Sequence, residues 1–288
     1  MHNRAHLHLS AFPIAKACHT FLALHSPLIH PTAIISPLAT IADDVVIGPF
    51  SVIDGPAEIS AGVTIDGHVL IRGLVKIAAH CKIGWGSVIG ADPQDLHFDP
   101  RIHSGVIIGE NNTIREYVTI HRGSAEGKFT AIGTNNFLMT GVHLAHDVQM
   151  GDYNVIANNV LLAGHITIGD RCFLGGGSGY HQFICIGDYA IVQGNAAISQ
   201  DVPPYCMAHS QNQLSSLNVI GLKRAGFSPE QRLEIKKAFR LLLCSGNLTQ
   251  AITEAEKHEW SPSALRLLDA VRQPSRKGIL TRSNNLNH

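Results

Sequence analysis

IISPLATIADDVVIGPFSVIDGPAEISAGVTI, residues 34–65, repeats itself every six positions, with isoleucine at 35, 41, 47, 53, 59 and 65. The series starts earlier, at Ile29, and runs unbroken through Ile71, Ile77 and Ile83 to Ile89. It resumes at Ile108, Ile114 and Ile120. It then continues from Ile132 through Leu138, Leu144, Met150, Ile156, Leu162, Ile168, Leu174, Tyr180, Ile186 and Val192 to Ile198. A period of six matches neither a helix, at about 3.6, nor a strand, at about 2. It fits a coil with three flat faces, each a short strand and a corner, turning one large side chain inward per face. Residues 18 apart then stack at roughly 4.8 Å, and the 26 hexads make nearly nine coils, a prism on the order of 40 Å long.

Two stretches interrupt the repeat. Between Ala91 and Val106 the register slips by one, across the polar segment ADPQDLHFDPRIHSG. Between Arg122 and Ala131 the length is kept, but Glu126 stands where an aliphatic residue is due. Both read as loops thrown out from the prism, where repeat proteins place binding residues. After Pro203-Pro204 the period ends. Ser228-Pro229-Glu230-Gln231 has the form of a capping box with proline at the first helical position. Behind it Leu233, Ile235, Ala238, Phe239 and Leu242 follow helical spacing, and two more helices are expected near 248–258 and 262–272. The expected organisation is an N-terminal extension (1–26), a prism (27–209) with loops at about 91–106 and 122–131, and a small helical domain (210–288).

Charged residues make up 15% of the chain and the formal net charge is zero, which argues against disorder and against broad nucleic-acid binding. The charge is uneven: residues 210–288 hold 12 Lys and Arg against 6 acids, pointing to an acidic partner at that end. Six scattered cysteines form no C-x-x-C pair, so free thiols in a reducing compartment, the cytoplasm, are expected and no metal ribbon. No apolar run is long enough to span a membrane. Residues 1–26 carry five histidines and no acid, and read as a dispensable extension or an early start ahead of an export signal.

With 18 histidines in the chain, position has to separate them. His146 follows its inward Leu144 by two residues; one coil on lies Gly164 beside His165, and one further lies Gln182 beside His181. His146, His165 and His181 are therefore expected along one edge, with Asp147 supplying a carboxylate to orient a ring. Such a site suits acyl transfer from a thioester to an alcohol. A neutral imidazole takes the alcohol's proton, and a backbone N–H at the side-chain-free Gly164 receives the oxyanion.

The hexads resemble the hexapeptide transferases, whose coils wind left-handed and which are typically trimers with sites between prisms. The expected fold is thus an all-β left-handed parallel β-helix with a small C-terminal α-helical domain. Within that group IREYVTIHRG (114–123), TGVHLAHDV (140–148), LLAGHITIGD (161–170), HQFICIG (181–187), QDVPPY (200–205), GLKRAGFS (221–228) and the loop PQDL are similar to the UDP-N-acetylglucosamine O-acyltransferases that begin lipid A synthesis. The resemblance covers about Ile29 to the C-terminus. It implies transfer of an (R)-3-hydroxyacyl group from acyl carrier protein to the sugar 3-hydroxyl, with His146 as general base, Asp147 as its partner and Gly164 as oxyanion donor. It assigns substrate binding to Gln94, Asp95, His121, His143, His165, His181, Gln182, Asn218 and Arg224, some from an adjacent subunit. Gly194 falls at the position that limits the acyl groove, implying a longer acyl chain. No metal and no cofactor are implied beyond the phosphopantetheine on the carrier.

Three positions depart from the family pattern: His97 stands where lysine is usual, Ile220 where glutamate is, and Ala225 where arginine is. A different sugar nucleotide, such as a diamino sugar, stays open as acceptor. The later N-acyltransferase of the pathway needs an N-terminal domain larger than 26 residues. A zinc hydratase on the same prism and a non-catalytic sugar-nucleotide-binding subunit are the competing classes.

Overall fold

A computed structural model of the chain describes residues 28–282; the N-terminal extension and Cys18 lie outside the described residues. Twenty-seven strands, most of two residues, wind through three sheets of nine, eight and ten strands. The first face carries Ile35, Ile53, Ile71, Ile89, Ile120, Leu144, Leu162, Tyr180 and Ile198 in parallel register. The second carries Ile41 through Ile186, and the third Ile47 through Val192. These hexad residues fill the prism and from Ile47 onward are almost entirely buried. Each buried aliphatic side chain contributes roughly 1.5–3 kcal/mol, which fixes which side of every short strand faces inward.

The corners demand a left-handed backbone, and non-glycine residues supply much of it. Phe50, His68, Asp147, His165 and Phe183 all have φ between 57° and 68°. Such residues are costly in isolation and persist where neighbouring coils over-determine the turn.

Both interruptions leave the prism at the same corner, between the first and second faces, on successive coils. Ile77 pairs with Ile108, making that coil longer than the regular one by two hexads and a residue. Ile108 pairs with Ile132, a coil longer by one hexad. This corrects the reading of residues 122–131. Glu126 does not replace an inward residue; the whole hexad is inserted, and the inward series passes from Ile120 straight to Ile132. A one-hexad insertion preserves the period, so spacing alone hides it. The two loops bind each other: His103 N–H donates to Glu126 Oε2 at 2.8 Å and Gly127 N–H to the His103 carbonyl at 2.8 Å.

The third face outlasts the repeat, adding Cys206–His209 in parallel and Gln213–Leu217 antiparallel to it. Four helices follow: α1 (Val219–Arg224), α2 (Pro229–Leu243), α3 (Leu248–Ala255) and α4 (Pro262–Arg272). The sequence did not signal α1. The capping box of α2 is formed, with Ser228 and Gln231 exchanging both bonds. Ile235, Ala238, Phe239 and Leu242 are buried, whereas Leu233 of the same expected apolar face is exposed. Arg266 on α4 pairs with Asp188 at a prism corner. The final segment returns to the prism, where Ile279 bridges Asp201 and Leu280 is buried.

Candidate active site

The corner where both loops leave holds the densest polar chemistry of the prism. His146 Nδ1 meets Asp147 Oδ2 at 2.8 Å, and the two side chains are 18% and 10% exposed. The inserted hexad reaches this carboxylate: Ser124 donates to it from Oγ at 2.5 Å and from its backbone N–H at 3.1 Å. Thr130 Oγ1 accepts the Asp147 N–H at 2.9 Å and fixes the turn from below. Burial opposes ionisation of Asp147, but the bonds from His146 and Ser124 prevail and hold its carboxyl below the usual range. An ionised Asp147 keeps the proton of His146 on Nδ1 and leaves Nε2 as a lone-pair base.

Gly164 stacks over that ring. A methyl in place of its hydrogen would lie 2.5 Å from Cε1 and 2.7 Å from Nε2 of His146, so only glycine fits. Its backbone N–H makes no hydrogen bond among the described residues. His165 stands edge-on to His146 with centroids 5.0 Å apart, and its Nδ1 is 3.7 Å from Asp147 Oδ2. Burial lowers its pKa, with Asp147 opposing and His146 and Arg276 assisting. The three donor atoms of His146, Asp147 and His165 lie within 4.8 Å of one another.

The edge does not continue to His181 as the sequence suggested. The ring stacked on His165, at 4.5 Å and 7° between planes, is Phe183. His181 comes one residue after the inward Tyr180, the hexad position of Ala145 and Ala163, and its Nδ1–H turns to the Gln182 carbonyl at 3.1 Å. Both His181 and Gln182 are exposed.

A second histidine pair spans the coil of His146 and the one before it. His121 and His143 meet edge-on at 5.1 Å. His121 Nδ1–H donates to the Asp92 carbonyl at 2.5 Å, and His143 Nδ1 shares a hydrogen bond with Thr119 Oγ1 at 2.7 Å. Burial, aided by His121, lowers the His143 pKa to about 4, so this imidazole is neutral. His143, Leu161, Ala163 and Gly179 line an open groove of about 530 Å³ that Gln94 of the first loop also borders. Asp95 is exposed beside it and accepts the His97 N–H at 2.9 Å. Arg122 secures this loop, bonding Asp92, Pro100 and Ile102 and covering Phe98. Sequence reasoning missed Arg122 and Ser124; both sit in or beside quoted motifs, but only tertiary contacts give them partners.

Asn218 and Arg224 lie elsewhere, around a cavity of about 470 Å³ on the outer third face. The Asn218 side chain is committed to structure: Oδ1 accepts the Gly221 N–H at 2.8 Å, capping α1, and Nδ2 donates to the Tyr189 carbonyl at 2.9 Å. Arg224 and Ile220 face that cavity, and Ile220 is 67% exposed. Gly194 sits at the corner between the third and first faces, where an added methyl would meet the Gly176 carbonyl oxygen at 3.0 Å.

Comparison with known proteins covers most of the chain. Residues 201–280 match the UDP N-acetylglucosamine O-acyltransferase family, domain 2, and residues 129–164 the bacterial transferase hexapeptide family. The chain is 43% identical over 255 residues to the acyl-[acyl-carrier-protein]–UDP-N-acetylglucosamine O-acyltransferase of Thermodesulfovibrio yellowstonii, spanning 87% of this chain and 98% of that one. It superposes on the UDP-N-acetylglucosamine O-acyltransferase of Moraxella catarrhalis with TM-score 0.83 at 40% identity, covering 88% and 99% of the two chains. For the UDP-N-acetylglucosamine acyltransferase of Francisella novicida the values are 0.84 and 36%, covering 89% and 95%. The fold is accordingly a left-handed parallel β-helix with a small C-terminal helical region.

Proposed function

The chain belongs to the UDP-N-acetylglucosamine O-acyltransferase family, and we infer from this an enzyme that moves an acyl chain from acyl carrier protein to UDP-N-acetylglucosamine, the first step of lipid A biosynthesis. The observation that carries the mechanism is the line Asp147–His146–Gly164: an oriented imidazole packed against a glycine whose backbone N–H is unspent among the described residues. His146 Nε2 takes the proton of the sugar 3-hydroxyl as its oxygen attacks the thioester carbonyl. The Gly164 N–H receives the oxyanion. The carbon–sulfur bond then breaks, and the leaving thiolate recovers the proton from Nε2. The thioester arrives activated, so the reaction calls for no covalent enzyme intermediate and no protein-bound cofactor or metal.

The donor is an (R)-3-hydroxyacyl chain in this reading. Gln94, Asp95 and His121, before His146, and His143, on the same coil as His146, hold the sugar; His165, His181 and Gln182 face the donor on the coils after it. Asn218, through the placement of α1, and Arg224 serve the nucleotide. Their cavity and the His146 edge lie on different faces, which supports a homotrimer whose sites join the faces of adjacent prisms. Leu96, fully exposed at the loop tip, fits a contact with a second copy. Mixing inactive His146→Ala and Arg224→Ala subunits should restore activity if sites are shared; mixtures as dead as their parents would mean a site within one chain.

Lys236, Lys237 and Arg240 are exposed on α2 and, among the described residues, form no ion pair, a surface suited to the acidic carrier. No helix among the described residues is long and apolar enough to cross a membrane, and a cytoplasmic location fits a carrier-borne donor. Gly194 faces Gly176, and nothing lies within 4 Å of a methyl added at nearby Gly179, leaving space for a long acyl chain. Product mass spectra should show the longer chains offered; only short-chain product would sink the ruler role. The deciding assay supplies UDP-N-acetylglucosamine with (R)-3-hydroxyacyl carrier proteins. Transfer that vanishes in His146→Ala supports the reading, and no transfer by the unaltered chain refutes it.

A further inference from the structure

The active edge ends on a cation the mechanism above does not use. His165 lies flat on Phe183, and the Arg276 guanidinium lies over the same Phe183 ring, its Cζ 4.9 Å from the centroid. Arg276 comes from the segment after α4, and that segment is built into the prism. The Asp201 N–H donates to the Gly278 carbonyl, and the Leu280 N–H to the Asp201 carbonyl, both at 2.9 Å. Buried Leu280 anchors it beyond. The guanidinium is thus held over an aromatic ring on an exposed residue. Among the described residues it makes no ion pair and no side-chain hydrogen bond.

We propose that Arg276 is a binding residue for the phosphodiester of the acyl donor's phosphopantetheine arm. The proposal rests on the acyltransfer reading given above. A phosphate ester suits an arginine already held against an aromatic ring, because its fork of N–H groups needs less further ordering. The choice of donor over nucleotide follows from direction. Of the sugar-facing residues, Gln94 and His121 lie on coils before His146 and His143 lies on the same coil as His146; none lies on a later one. The sequence His146, His165, Phe183, Arg276 advances the other way, toward the helical domain with its exposed basic α2. A carrier docked there sends its arm back along this edge, with the thioester at His146 and the phosphate at the far end.

The test compares two small donors, (R)-3-hydroxyacyl-phosphopantetheine and the same compound lacking the phosphate, so the carrier's own docking does not enter. In Arg276→Ala the KM for the phosphorylated donor should rise roughly 10-fold or more, while the unphosphorylated donor stays within about twofold; Arg276→Lys should recover part of the loss. Equal effects on both donors, a rise confined to the KM of UDP-N-acetylglucosamine, or no effect would each overturn the assignment. Affinities of the two donors measured in the His146→Ala background need no turnover. An unchanged ratio of the two affinities on adding Arg276→Ala also overturns it. Turnover by the unaltered chain reports separately on the acyltransfer reading.

Discussion

His68 and His165 occupy the same kind of place in the prism and have different surroundings. Each is a corner residue in the left-handed region, with φ of 57° and 59°, and each ring lies between two others. His68 sits between Phe50 and Trp85, at 5.1 and 5.5 Å, and His165 between His146 and Phe183, at 5.0 and 4.5 Å. Around His68 the stack is exposed, and among the described residues no carboxylate pairs with it. At His165 the neighbouring coil presents Asp147, and the inserted hexad brings Ser124 to hold that carboxylate. The repeat supplies the geometry of a histidine column at either corner. What sets one corner apart is the carboxylate and the inserted hexad that holds it.

The largest expected difference between the two corners is in the histidine variants. His146→Ala should lower kcat about 10²–10⁴-fold with the fold intact, since that ring is partly exposed, whereas His68→Ala should change acyl transfer by less than about twofold. Comparable losses in the two variants would make both corners merely structural.

Ser124→Ala sharpens the same contrast at smaller scale, with kcat/KM lower by roughly 10-fold. Asp147 is held below the ordinary carboxylate range partly by Ser124, so losing the hydroxyl raises its pKa. The acid limb of the pH–rate profile should therefore move toward neutrality. A uniform drop with an unmoved acid limb would assign Ser124 to packing alone.

His143 gives the smallest effect, read in stability. Its pKa falls from 6.5 to about 4 on folding, so between these values the unfolded chain binds the proton and the folded chain does not. Its contribution is complete above about pH 6.5 and is lost as pH falls toward 4. His143→Gln should narrow the difference in Tm between pH 7 and pH 5. A difference as wide as in the unaltered chain would mean the buried ring does not titrate there.

Residues whose positions are set by the hexad were legible in the sequence. Once Leu144 and Leu162 are inward, His146, Asp147, Gly164 and His165 must fall on one corner of adjacent coils. Roles depending on a break in the repeat were not. The inserted hexad around Glu126 keeps the period, which concealed both the insertion and the reach of Ser124. His181 looked like the next member of the column because neighbouring letters were both histidine and glutamine; the corner position belongs to Phe183. Arg276 is separated from Phe183 by 93 positions along the chain, and no local pattern links them.

The sequence by itself determined the three-faced prism, its inward residues and the corner where His146, Asp147 and His165 meet, because a six-residue apolar period buries every large side chain only in a three-faced coil. Tertiary structure alone decided which groups complete that corner. The left-handed turns at Asp147, His165 and Phe183 are held by the coils above and below. The donors to Asp147 come from a loop a coil away, and the cation at the column's end from a segment that returns after four helices. Those contacts arise from chain reversal and close approach, which spacing along one strand does not encode.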